Sequence, residues 1–197
     1  MIVFAKFSSS TTYCRTFIAL PLPLDIGETV VAFQSNLMRY NAHGGIVWVA
    51  PDALHVTVQF LGSQSDEALT VIKNSIETAC TEHTPFPLQL NHPDAFPSLD
   101  RQRIIIVKCH NEGKVLFRLR EKMLGALKHN HVTFEEERNV WVPHITIARN
   151  RVPGYFFRRL TELTLEQRMW DVHEIVLYKS ELTPQGPHYS VLHTVSL

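Results

Sequence analysis

The chain has 197 residues, 45% of them hydrophobic and 19% charged, a balance that fits one compact domain and argues against disorder. Lys+Arg and Asp+Glu number 19 each, so the molecule lacks the positive field of a general nucleic-acid binder, and any polyanion must be held locally, as a phosphate-bearing group or a strand end. No apolar run is long enough to span a bilayer, residues 1–14 lack the form of a signal peptide, and Cys14, Cys80 and Cys109 are odd in number and widely spaced, which excludes a disulfide framework and a Cys-x-x-Cys metal site and makes the cytosol (a cytoplasmic location) the expected compartment.

In chain order, residues 15–20 (RTFIAL) have strand character and are stopped by Pro21 and Pro23. Asp25 and Glu28 then have the spacing of a capping box, and the helix that follows should bury Ile26, Val30, Phe33 and Leu37. Gly44 and Gly45 end that segment. Residues 46–49 and 55–61 read as strands separated by Pro51-Asp52, and the polar stretch 63–67 opens a helix with Leu69, Ile72, Ile76 and Ala79 on one face. An extended stretch at 86–90, a loop holding Pro93 and Pro97 and the apolar run 104–107 come next. Leu116, Leu119, Met123 and Leu127 form another helical stripe, residues 140–147 return to strand character, and Gly154 precedes an arginine-bearing segment at 155–163. Strands near 172–178 and 188–195 close the chain. Helices alternating with paired strands, joined by short connections and not divided by a Gly/Ser linker, predict an α+β fold on antiparallel sheets.

A weak internal repeat carries the functional signal. Val47-Trp48-Val49-Ala50-Pro51 leads to His55-Val56-Thr57-Val58, and Val140-Trp141-Val142-Pro143 leads to His144-Ile145-Thr146-Ile147. Two similar halves facing each other would bring both histidines into one cleft. In a strand, His55 and Thr57 share one face above an apolar underside, and His144 and Thr146 do the same. An imidazole titrates near neutrality, so one histidine can accept a proton while a second donates one. Opening a cyclic phosphodiester needs both steps, and threonine hydroxyls can donate to the non-bridging oxygens where charge builds. This chemistry requires neither a metal nor another cofactor.

The motif alone is unspecific, because His131-Val132-Thr133-Phe134 and His188-Tyr189-Ser190-Val191 also satisfy it. Those two lack the Trp-Val and proline approach and read as structural or surface groups. Trp48 and Trp141 read as core anchors, and Arg151, Arg158 and Arg159 form a basic cluster able to guide an RNA strand or simply to face solvent. His129-x-His131 has no third ligand nearby in sequence, so metal binding is not expected.

Residues 15–21 (RTFIALP), 54–62 (LHVTVQFLG), 95–98 (AFPS) and 143–149 (PHITIAR), with Ile175-Val176-Leu177, Ser180, Leu182, Gly186 and Tyr189 near the end, resemble the RNA 2′,3′-cyclic phosphodiesterases of the 2′-5′ RNA ligase family, within the two-histidine phosphoesterase superfamily. The resemblance implies a bilobal α+β domain over residues 15–197, two antiparallel sheets with outer helices and pseudo-twofold symmetry around a central cleft. Residues 1–14 are then an N-terminal extension. It implies hydrolysis of a 2′,3′-cyclic phosphate, on RNA or a small cyclic nucleotide, to a 2′-phosphate, by a monomer without metal or cofactor and without a membrane or obligate protein partner. By position, His55 would be the proton donor, His144 the proton acceptor, Thr57 and Thr146 the phosphate clamps, Arg149 a further phosphate contact and Phe17, near the cleft, a candidate for stacking on a base. Two alternatives stay open: an RNA-end or nucleotide-binding module without efficient turnover, and 2′-5′ ligation or 2′-5′ phosphodiester cleavage at the same site, which would exchange the two histidines' roles. Arg149 poses a geometric difficulty. It lies five residues after His144, and a regular strand would point it to the opposite face unless the chain bends.

Overall fold

The apolar periods of the sequence change from helical to alternating in the places where a computed structural model, describing residues 12–135, 140–184 and 186–197, puts three helices among nine strands. The strands are β1 Tyr13–Pro21, β2 Ile46–Trp48, β3 His55–Ser65, β4 Phe86–Phe96, β5 Ile104–His110, β6 His144–Asn150, β7 Met169–Val172, β8 Glu174–Thr183 and β9 Gly186–Ser196; the helices are α1 Leu24–Met38, α2 Asp66–Cys80 and α3 Val115–His129. Residues 1–11 of the expected extension lie outside the described residues. Tyr13 and Cys14, placed with that extension by the sequence, instead pair with Ser65 and Gln64 as the start of β1.

The helices bury the faces their stripes define: Ile26, Val30, Phe33 and Leu37 on α1, Ile72, Ile76 and Ala79 on α2, and Leu116, Leu119, Met123 and Leu127 on α3. The start of α2 falls within the expected polar stretch, and that of α1 differs from expectation. Ser65 caps α2 by accepting from the Ala68 N–H at 3.3 Å. No side chain caps α1, which begins after Pro23; Asp25 pairs with Arg168 at 3.5 Å instead of forming the expected capping box. The expected loop at Pro93 is also strand. β4 runs through it on a bulge between Leu90 and Pro93, where a residue without an N–H leaves no ladder bond unmade. Residues 140–143, expected as strand, precede β6 without joining it.

All described strands lie on one hydrogen-bonded path, β7-β4-β5-β6-β3-β1-β8-β9, with β2 added on β6. The two expected sheets are the two halves of this path, β7-β4-β5-β6 and β3-β1-β8-β9. They are joined where β3 meets β6, by the single antiparallel pair Val56↔Ile145. Away from that pair β3 and β6 part, and the space between them is the cleft. The chain crosses repeatedly between halves: α1 is docked to β6 through Gln34, while α2 and α3 pack together beneath the half containing β3. One hydrophobic core therefore underlies both.

Leu119 is fully buried in this core. Leu119→Ala is expected to cost about 3 kcal/mol in urea unfolding, whereas Met169→Ala, at a side chain 68% exposed, should stay within about 0.5 kcal/mol of wild type.

Candidate active site

The pair Val56↔Ile145 fixes the site's plan. Both side chains are fully buried on the helix side, so the residues on either side of each point the other way, into the cleft. Antiparallel register continued by one residue sets His55 across from Thr146 and Thr57 across from His144. The histidines then occupy one diagonal of a square of positions and the threonines the other, all on one face of the sheet.

Each ring is held in the same way. His55 Nδ1 donates to the Ala53 carbonyl at 2.8 Å, and His144 Nδ1 to the Val142 carbonyl at 2.7 Å. A carbonyl only accepts, so Nδ1 carries hydrogen in both, and the proton that titrates sits on Nε2, facing the cleft. His55 Nε2 lies 3.0 Å from Thr57 Oγ1. The surroundings differ. His55 is packed by Phe17 at 4.9 Å, Tyr189 at 5.4 Å and Tyr178 at 6.5 Å, while Phe96 stands edge-on to His144 at 4.9 Å. Burial, followed by the charges of His144 and Arg149, pushes the His55 imidazole down to about 4. Burial and Arg149 also lower His144.

Arg149 resolves the face problem through a bulge. Ile106 pairs with Thr146 and Ile105 with Ala148, leaving Ile147 as an extra residue on β6. Ile147 and Ala148 are both buried, the alternation shifts by one, and Arg149 emerges exposed on the face of His144 and Thr146, where its charge acts on both histidines and on Tyr189. The same event occurs in β3. Ala19 pairs with Thr57 and Ile18 with Gln59, so Val58 is the extra residue. Val58 and Gln59 are buried, and Phe60, five residues after His55, emerges 53% exposed. Sequence reasoning missed Phe60. Phe17, the expected stacking residue, is 2% exposed beneath His55, with Phe60 6.0 Å away.

Trp141 is buried as expected and donates from Nε1 to the Thr57 carbonyl at 3.3 Å; Trp48 packs against Phe157 at 5.7 Å. His131 and His188 are exposed and lie outside the square. Arg158 and Arg159 belong to a segment fastened to the end of α1: the Asn41 side chain donates to the Arg158 carbonyl and accepts from its N–H, while Arg159 lies over Tyr40 and within 3.9 Å of Glu162. Arg151 is exposed just past β6. Among the described residues, no three His, Cys, Asp or Glu side chains converge as metal ligands would.

The two-lobed sheet with one His-x-Thr strand per lobe defines the class of fold, and comparison with known proteins gives the family. Residues 28–184 match the 2′-5′ RNA ligase superfamily. The chain is 32% identical over 187 residues to the RNA 2′,3′-cyclic phosphodiesterase of Methanocaldococcus jannaschii, covering 90% of this chain and 98% of that protein. It is 28% identical over 183 residues to the RNA 2′,3′-cyclic phosphodiesterase of Thermotoga maritima, covering 91% and 93%. The crystal structure of a Thermus thermophilus protein superposes with a TM-score of 0.76 at 27% identity, covering 93% of this chain and 97% of that one. The chain belongs to the 2′-5′ RNA ligase superfamily.

The folded protein holds His55 below the 6.5 of an unperturbed imidazole, so below pH 6.5 the unfolded chain takes up a proton that the native site resists. Stability therefore falls as pH falls from 6.5 towards 4. In urea unfolding across that window, His55→Asn should lose up to about 3 kcal/mol less than wild type; equal slopes for the two proteins would show that His55 is not held neutral.

Proposed function

We propose that the protein hydrolyses the 2′,3′-cyclic phosphate at an RNA end, or on a small cyclic nucleotide, to a 2′-phosphate. The observation that carries this reading is the square of two Nδ1-anchored histidines and two threonines, each histidine presenting Nε2 to the same small space.

In the reaction, neutral His144 takes a proton from water on Nε2 as the water oxygen bonds to phosphorus. Protonated His55 gives its Nε2 proton to the ribose O3′ as the P–O3′ bond breaks. The Thr57 and Thr146 hydroxyls donate to the non-bridging oxygens, and the Arg149 guanidinium neutralises the charge that builds there. The exposed Phe60 ring offers the nucleobase a stacking face. A neutral His55 accepts the Thr57 hydroxyl's hydrogen; once protonated, His55 no longer accepts it, so the hydroxyl turns to the phosphate while the Nε2–H faces O3′. The substrate's own negative charge raises both imidazoles, offsetting the burial that keeps His55 neutral in the empty cleft. A cytosolic setting is supported by three unpaired cysteines, two of them buried.

With 2′,3′-cyclic AMP as substrate, His55→Ala and His144→Ala should each lower kcat/KM by about 10²–10⁴-fold, and excess EDTA should leave the wild-type rate unchanged. Wild-type rates in either alanine variant would sink the acid–base assignment. The profile of kcat/KM against pH should be bell-shaped with its maximum on the acid side of 6.5, because the free protein holds both imidazoles below that value. The kcat profile should peak at higher pH, since the bound anion raises them. A kcat/KM maximum above about pH 7 is the contrary result.

A further inference from the structure

We infer that Gln34 on α1 and Arg120 on α3 are paired positioning residues that fix the two strand bulges, and through them decide that Arg149 and Phe60 face the cleft; the inference rests on the phosphodiesterase reading for its readout. A bulged residue falls out of ladder register, so its buried carbonyl needs another donor. In β6 that residue is Ile147. Its carbonyl accepts from Gln34 Nε2 at 2.8 Å and from the Val49 N–H at 3.0 Å. Gln34 is 4% exposed on an otherwise apolar helix face, and its amide also donates to the Val49 carbonyl at 2.8 Å. In β3 the bulged residue is Val58, whose carbonyl accepts from Arg120 Nε at 2.9 Å.

Arg120 does more along the same stretch. Its Nη2 donates to Gln59 Oε1 at 2.8 Å, and its guanidinium lies 4.9 Å over the ring of Trp141, whose Nε1 reaches the Thr57 carbonyl. Gln59 Nε2 in turn donates to the Phe60 carbonyl at 2.9 Å. Each half of the sheet thus has one polar side chain rising from its helix layer to the peptide where the alternation shifts. Both approach from the core side of the sheet, opposite the cleft, so neither touches substrate. Without its side-chain donor, which in β6 leaves only the Val49 N–H on the Ile147 carbonyl, a bulged strand is favoured to return to regular pairing, which turns the residue five after the histidine away from the cleft.

Double-mutant cycles on kcat/KM for 2′,3′-cyclic AMP test this. Gln34→Met, which keeps the bulk and removes the donor, should lower kcat/KM about tenfold alone and have no further effect in an Arg149→Ala background, yet multiply with Phe60→Ala. Arg120→Met should show the mirror pattern, silent on Phe60→Ala and multiplicative with Arg149→Ala, and Arg120→Lys, which keeps a donor, should recover most of the loss. Effects that multiply in all four combinations, or unchanged activity in both single variants, would overturn the proposal. If Gln34→Met does not fold, the Arg120 cycles decide it alone. If the wild-type protein turns nothing over, the phosphodiesterase reading fails, and the same cycles on the Kd for 2′-AMP decide the positioning claim separately.

Discussion

In each of two neighbouring strands, the residue displaced just after His-x-Thr determines what this cleft contains. Strands β3 and β6 meet at Val56↔Ile145 and would, if regular, present the cleft with two histidines, two threonines and little else. The extra residues Val58 and Ile147 shift the alternation just after each His-x-Thr, and this brings a ring to one side and a guanidinium to the other. Backbone symmetry is kept while side-chain symmetry is broken. A site made only of the symmetric square has no means to orient a nucleotide, which carries a base at one end and a phosphate at the other. In the proposed reaction Phe60 and Arg149 supply that direction.

The same asymmetry extends to the histidines. Both are anchored through Nδ1 to the carbonyl two residues earlier, so their tautomers match. Their environments do not. The ring stack of Phe17, Tyr178 and Tyr189 removes more water from His55 than Phe96 alone removes from His144. Desolvation disfavours the charged imidazole, and in the proposed reaction a phosphate anion between the rings restores it. A site with this balance stays largely neutral when empty and becomes competent for proton donation when a phosphate arrives.

Much of this was legible in the sequence because periodicity reports burial directly. The α3 stripe of Leu116, Leu119, Met123 and Leu127 is the buried face of that helix, and the repeated Trp-Val, proline and His-x-Thr order marked the two motif strands and the halves that carry them. What was hidden depends on tertiary partners. Ile147-Ala148, two adjacent apolar residues after strict alternation, did hint at a bulge in β6. In β3 the corresponding signal was masked, since Gln59 reads as polar and is buried because Arg120 bonds its side chain. For the same reason Phe17 looked like the free ring, when its faces are taken by His55 and the two tyrosines. Gln34 sits in the apolar stripe of α1, and nothing local distinguishes it from an exposed glutamine; its role follows from two carbonyls more than ten residues away in sequence.

The most direct measurement is the position and isotopic content of the product phosphate when 2′,3′-cyclic AMP is turned over in water enriched in oxygen-18. His55 protonating O3′ while His144 delivers water to phosphorus should give 2′-AMP carrying one heavy oxygen on its phosphate. A 3′-AMP product would contradict O3′ as the oxygen His55 protonates, and a phosphate that has gained no label would contradict delivery of water to phosphorus by His144.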